Sequence, residues 1–190
     1  MLPSYFEEIT LENEDYTVKS FITGEYEQCR FIQCNFNGSQ LSGCRFIDCV
    51  FEGCNLSNAK LSQSAFRDVK FIRCKMLGLC FDECQSYGLA FSFDGCMLNY
   101  SSFYGTAIKK SIFKDCHLQE VDFTGADLTS AVFENCTLLK ATFENTNLEK
   151  ADFTTAEHYT IDPAINIIKK AKFGMMGLPG LLTRYDIVIR

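Results

Sequence analysis

The residues of this chain best able to do chemistry are 11 cysteines, at positions 29, 34, 44, 49, 54, 74, 80, 84, 96, 116 and 136. Thiolates hold zinc, form disulfides and act as nucleophiles. Spacings such as Cys29/Cys34, Cys44/Cys49/Cys54 and Cys80/Cys84 match zinc-ligand spacing superficially. Their order argues otherwise. Steps of 5, 10 and 20 dominate, and metal ligands have no reason to keep such a comb, whereas an internal repeat does. The two histidines, His117 and His158, have no suggestive neighbour in sequence. No Gly-rich phosphate loop, nucleophile elbow or HExxH motif is present. The expectation is a protein that is not an enzyme, with no cofactor and no metal.

Stepping by five from Phe21 gives a large apolar residue 13 times running, through Tyr26, Phe31, Phe36 and Leu41 to Met76 and Phe81. The comb then slips by two. From Phe93 it runs another 13 steps, through Leu98, Phe103 and Ile108 to Leu148 and Phe153. At 47% apolar, such a run has a chance probability on the order of 10⁻⁹. The residue two before each centre is usually Cys, Ser, Ala, Thr or Val, and ten of the 11 cysteines sit there, Cys80 being the exception. Each unit reads small, polar, large, polar, polar. That is neither the 3.6 period of a helix nor the sustained 2.0 period of a strand. It fits a chain that turns a corner every five residues, with the small and large residues inward. Buried thiols of this kind behave as small hydrophobes.

In the second comb Phe alternates with Leu or Ile, so a coil holds an even number of units. Cys34/Cys54/Cys74 and Cys96/Cys116/Cys136 recur at 20 residues. Twenty residues is four units and hence a four-sided coil, with columns of Cys and of Phe. The 26 units predict 6.5 coils and a rod of roughly 31 Å at the parallel rung spacing. Stacked cysteines with parallel side chains do not meet disulfide geometry, so all are expected reduced, as suits the cytoplasm.

The stretch TGADLTSAVFENCTLLKATFENTNLEKADF, residues 124–153, resembles the pentapeptide-repeat family, whose motif is A(D/N)LXX. The resemblance covers residues 19–155 and implies an all-β fold, a right-handed quadrilateral β-helix. The expected organisation is an N-terminal cap coil over 1–18, the β-helix over 19–155 interrupted at 84–90, and a C-terminal helical cap over 156–190. In the first segment Phe6, Leu11 and Tyr16 keep the comb, but Ile9 and Glu14 break the small-residue rule. Asp162-Pro163 reads as the N-cap and first residue of a helix ending near Gly174. A short helical piece over Leu178–Thr183 and an extended Tyr185–Ile189 follow. The interruption, Cys84, Gln85, Ser86, Tyr87, Gly88, Leu89 and Ala90, reads as a corner bulge or as a protruding loop of the kind relatives use in target binding.

The net charge of −6 argues against a direct grip on nucleic acid. No apolar run approaches a membrane span. The first 18 residues hold five acids and no base, unlike a secretory leader. Residues 19–80 carry a net +3 and residues 81–155 a net −6. The candidate partner-binding acids are Asp94, Asp115, Glu120, Asp122, Asp127, Glu134, Glu144, Glu149 and Asp152. Asp122, Asp127 and Asp152 also fit the family consensus before a centre. An acidic half next to an apolar C-terminus resembles the Qnr-type quinolone-resistance branch. Those dimeric rods bind DNA gyrase and topoisomerase IV, partly as DNA mimics. The resemblance implies a homodimer through Ile165, Ile168, Phe173, Met176, Leu178, Leu181 and Leu182, with the acidic halves meeting in the middle. The alternative is a pentapeptide-repeat scaffold with another protein partner.

Overall fold

The computed structural model describes residues 4–188. The chain winds into a four-sided parallel solenoid. Two sides are regular enough to form sheets. One has four strands: Ser4–Glu7, Gly24–Glu27, Arg45–Ile47 and Ala65–Arg67. The other has nine, from Thr10–Glu12 through Arg30–Ile32, Val50–Glu52, Val69–Ile72, Phe91–Asp94, Ile112–Lys114, Val132–Glu134 and Asp152–Phe153 to Lys172–Phe173. The other two sides pair through single bridges such as Asn35↔Asn55 and Asp122↔Thr142. Register advances by 20 residues per coil, as in Phe31↔Phe51 and Phe113↔Phe133. It advances by 22 across the interruption, where Phe71 pairs Phe93.

The comb is the core. Eight phenylalanines, 31, 51, 71, 93, 113, 133, 153 and 173, form one column with centroids 4.5–5.5 Å apart. That spacing matches the separation of neighbouring strands, so ring stacking and backbone pairing satisfy one another. The small slot has a second task. The carbonyl of a centre faces the interior, where an unpaired acceptor is costly. The slot residue of the coil above donates to it: Cys49 Sγ to Tyr26 O at 3.2 Å, Cys54 Sγ to Phe31 O at 3.2 Å, Ser64 Oγ to Leu41 O at 2.7 Å and Thr146 Oγ1 to Phe123 O at 2.9 Å. A thiol fills the slot as a small apolar body with a weak donor. Cys34, Cys54, Cys74, Cys96, Cys116 and Cys136 hold it on six successive coils, next to the ladder Asn35–Asn55–Lys75–Met97–His117–Thr137.

Most corners lie two residues after a centre, in the left-handed region: Gln28 at φ 55°, Asp48 at 52°, Lys140 at 58°. A non-glycine residue there costs about 1–2 kcal/mol. The corner N–H offsets part of it by bonding to the next coil, as Asp48 N–H does to Arg67 O at 2.9 Å.

Three expectations change. The first coil is irregular only over residues 16–20, a turn without a bridge to the coil above among the described residues. Ser4, Tyr5, Phe6 and Glu7 pair in register with Gly24, Glu25, Tyr26 and Glu27, so Ile9 and Glu14 depart from the residue rule without departing from the path. The helix expected from Asp162 is absent. Residues 163–165 form a turn, Ile167 bridges Asn147, and Lys172–Phe173 pairs with Asp152–Phe153. Asp162 Oδ1 accepts the Ala164 N–H at 2.8 Å, and Asn166 reaches the Phe143 carbonyl at 2.8 Å from the small slot. The coil below is a template whose bonds outweigh local helix signals. The solenoid therefore runs beyond the expected 6.5 coils, to nine rungs on the longer face, about 38 Å from first to last. The helical cap is a 3-10 segment, Met175–Leu181, followed by Thr183–Tyr185. It lies close on the last coil, since a Cβ at Gly180 would collide with the Tyr159 carbonyl oxygen. The expected extended stretch gives way to that turn at Tyr185, and its end, Ile189, lies outside the described residues.

The interruption stays small. Cys84 and Leu89 are buried, and Tyr87 stands 83% exposed at the tip with the Arg67 guanidinium 5.9 Å from its ring centre. Its side of the coil has no regular strand, which is why the four-stranded sheet stops at Ala65–Arg67. Phe91, large where a small residue belongs, packs on Phe66 at 5.7 Å and on Phe81 at 5.1 Å, filling the place of the missing centre.

Candidate partner-binding surface

Residues one before and one after each centre point outward, so the longer sheet exposes two ladders. One passes through Glu12, Ile32, Glu52, Ile72, Asp94, Lys114 and Glu134. The other passes through Arg30, Val50, Lys70, Ser92, Ile112, Val132, Asp152 and Lys172. Ile32, Val50, Ile72, Ile112 and Val132 make this face partly apolar, and Ile112 is 47% exposed. The sequence signal for these residues was an apolar side chain directly beside a centre.

The structure does not gather the nine acids on one side. Asp94, Glu134 and Asp152 lie on the nine-stranded face, with Asp115 at its corner. Glu120 marks another corner. Asp122 and Glu144 flank the Phe123/Phe143 column, and Asp127 and Glu149 the Leu128/Leu148 column. Five have a cation within 4 Å: Asp94 with Lys114, Glu120 with Lys140, Asp127 with Lys109, Glu149 with Lys150 and Asp152 with Lys172. Asp122, Asp127 and Asp152 also shape the backbone, each accepting the N–H two residues on at 2.8, 3.1 and 3.0 Å. The Thr154 hydroxyl, its N–H and Lys172 hold the Asp152 carboxyl below the usual range against opposing burial. For Asp127 burial is the largest influence and raises it, but Thr129 and Lys109 together outweigh it. Glu134 and Glu144 have no ion pair among the described residues.

At the C-terminal end Met176 (95%), Ile165 (45%) and Leu178 (39%) are exposed. Ile168, Phe173 and Leu181 instead pack partly buried against the core, and Leu182 is intermediate. Arg184 clamps Asp162 through both carboxylate oxygens at 3.0 Å, fixing the cap.

His117 shares a shallow groove of about 300 Å³ with Asp115, Asn135 and Glu157, and His158 lies 3.9 Å from Glu157. Among the described residues no group of three or more His, Cys, Asp or Glu is placed to hold a metal ion. Cys80 is exposed and the other ten thiols are buried. Burial pushes the Cys49 thiol up to about 12, which keeps it protonated and inert. No helix of the described residues is long and apolar enough to cross a membrane.

The model of the pentapeptide repeat region matches residues 19–71 and 64–143, together more than half of the chain. No curated protein matches it in sequence. Similar solved structures include those of QnrB1, described as a plasmid-mediated fluoroquinolone resistance protein. A trypsin-treated form gives a TM-score of 0.73 at 18% identity, covering 100% of this chain and 92% of that one. The full-length form gives 0.56 at 19% identity, covering 97% and 100%. These likenesses establish the fold.

Proposed function

The chain belongs to the pentapeptide-repeat family, and from that premise we propose that it is a non-catalytic rod that binds another protein. The observation that carries this reading is the nine-stranded face. It is a long sheet surface with apolar residues set among charges, and it is rigid because every rung but the first and last is paired on both sides. A preformed surface loses little entropy on binding. For the partner we propose a type II topoisomerase, DNA gyrase or topoisomerase IV, which the rod would shield from fluoroquinolones in the cytoplasm. The likeness to QnrB1 over the whole of this chain and the net −6 of residues 81–155 support that choice. In this reading Ile165, Met176 and Leu178 join two copies end to end, and Glu134, Glu144 and the acids around them imitate DNA phosphates. The 84–90 bulge would be a second contact, through Tyr87.

A supercoiling assay tests the partner, with purified gyrase, ciprofloxacin and a titration of this protein. Supercoiling should recover as protein is added, and Glu134→Lys with Glu144→Lys should abolish recovery at unchanged thermal stability. Binding should also weaken with salt. No recovery at any ratio would remove the topoisomerase. Light scattering tests the dimer, which should have twice the 21.6 kDa chain mass and fall to one chain on Met176→Glu with Leu178→Glu.

A second reading, a scaffold for a different protein, is favoured by one observation. Five of the nine acids already face a lysine, which lowers the field available for DNA mimicry.

A further inference from the structure

The interruption also changes the outside of the rod. At regular corners the left-handed residue donates its N–H to the coil above: Asp48 to Arg67 O at 2.9 Å, Arg73 to Asp94 O at 2.7 Å, Lys110 to Thr129 O at 2.9 Å. Asp68 has no such bond among the described residues, because the chain above it is displaced into the bulge. One coil higher, Ser111 sits in a small slot. By the pattern of Cys49 and Ser64 its hydroxyl should donate to the centre carbonyl of the coil below. That side has no regular centre, and Ser111 Oγ, in a residue only 2% exposed, has no partner.

Between these two gaps the surface opens into a groove of about 330 Å³. Lys70, Lys109 and Lys110 rim it, and Ala90 lines it beside Ser111 with the edges of Val69 and Phe91, which are themselves only 0% and 5% exposed. Lys109 is held by Asp127 at 3.0 Å. Lys70 and Lys110 have no ion pair among the described residues. Asp68 is the one acid in the lining, so cations predominate. The volume falls at the lower end of small-molecule clefts, roughly 300–1,000 Å³. A bare oxyanion would leave the apolar lining uncovered, and a neutral apolar body would forgo the attraction of the two lysines. We propose that this notch binds a small ligand made of an anionic group on an apolar body, such as an aromatic or acyl carboxylate, sulfonate or phosphate.

The probe is 8-anilinonaphthalene-1-sulfonate, titrated into the full chain and read by fluorescence. One saturable site is expected. Lys70→Glu with Lys110→Glu should weaken binding at least about ten-fold, since it replaces two attractive charges with repulsive ones. Both side chains are exposed, so the thermal midpoint should not move. If that pair does not fold, Lys70→Gln with Lys110→Gln should show a smaller loss in the same direction. The neutral analogue N-phenyl-1-naphthylamine should bind the parent protein more weakly and ignore both pairs. Three results would overturn the proposal. The charge variants could bind the sulfonate as tightly as the parent. The neutral analogue could bind the parent as tightly as the sulfonate. The signal could instead disappear on Ile22→Glu, in the separate apolar mouth at the N-terminal end.

Discussion

Phe133 lies flat on Phe113, with ring centroids 4.9 Å apart and planes 2° from parallel. Both are at most 1% exposed, and each ring is also stacked on its other face. Phe133→Ala should therefore open a hole that two rigid coils cannot close, at a cost of about 3–5 kcal/mol. Thr124→Ala, one residue outward of a centre, should cost under about 0.5 kcal/mol. Urea titrations of the two variants should differ by that margin; equal losses would mean that the inward comb is misassigned.

Ser64 and Ser111 hold small slots on adjacent sides of the coil, before Phe66 and before Phe113, and only Ser64 has an acceptor, Leu41 O at 2.7 Å. Ser64→Ala removes one of two donors to the Leu41 carbonyl, which keeps the Cys44 N–H at 3.1 Å, and should cost about 0.5–1.5 kcal/mol. Ser111→Ala removes a hydroxyl that already lacks a partner, and should leave the melting temperature unchanged or raise it. Equal destabilisation in calorimetry would show that Ser111 finds a partner in solution.

Native protein treated with a thiol-specific chromogenic reagent should release colour from one group, Cys80. All 11 should react after unfolding in guanidinium. The burial of the other ten and the pKa rise it causes at Cys44 and Cys49 both slow attack. Several fast thiols in the native state, or bound zinc by elemental analysis, would contradict the ladder.

Acid should loosen the C-terminal end. The Ala164 N–H and Arg184 hold the Asp162 carboxyl below its ordinary range against opposing burial. Asp152 is held down by Thr154 and Lys172. A carboxylate depressed on folding stabilises fully above its unfolded pKa, near 3.9, and loses that contribution as pH falls through its folded value. Stability should be level from pH 7 to about 5 and decline below about 4. Asp162→Asn should flatten that decline, which denaturant midpoints at a series of pH values would reveal.

The core was legible because each inward residue is repeated five positions on, so Phe31, Phe36 and Leu41 declare their direction without any knowledge of the partner coil. Corners were less so. Gln28, Asp48, Arg73 and Lys140 all take positive φ, and no residue type marks the position, since the bond to the next coil decides it. Asp162-Pro163 misled for the same reason: its helix signal is local, whereas the template beneath Asn166 is twenty residues away. Phe91 reads as an ordinary apolar residue until the vacant place beside Phe66 is seen. The acids read as one cluster along the chain, but a coil of twenty residues spreads Asp94, Asp122 and Asp127 around the circumference. Which lysine neutralises which acid depends on register, and Lys114 meets Asp94 only because pairing there is 20 residues apart.

A rod built of coils that touch only their neighbours carries tension in series, and it should give way at its weakest joint. That joint should be at Ala65–Arg67, where one side loses its ladder and the nine-stranded sheet and the bridges Lys75↔Met97 and Cys80↔Ser102 carry the pairing onward. Pulled from its two ends, the molecule should part into two blocks, Ser4 to about Glu83 and Phe91 to Phe173. Each block should keep its own stacked phenylalanines after the other has unwound. The same joint sets how heat divides the chain, because cooperativity in a linear array passes only through contacts between adjacent units. The two extra residues thus act as a fuse, fixing where the solenoid yields and sparing the rungs on either side.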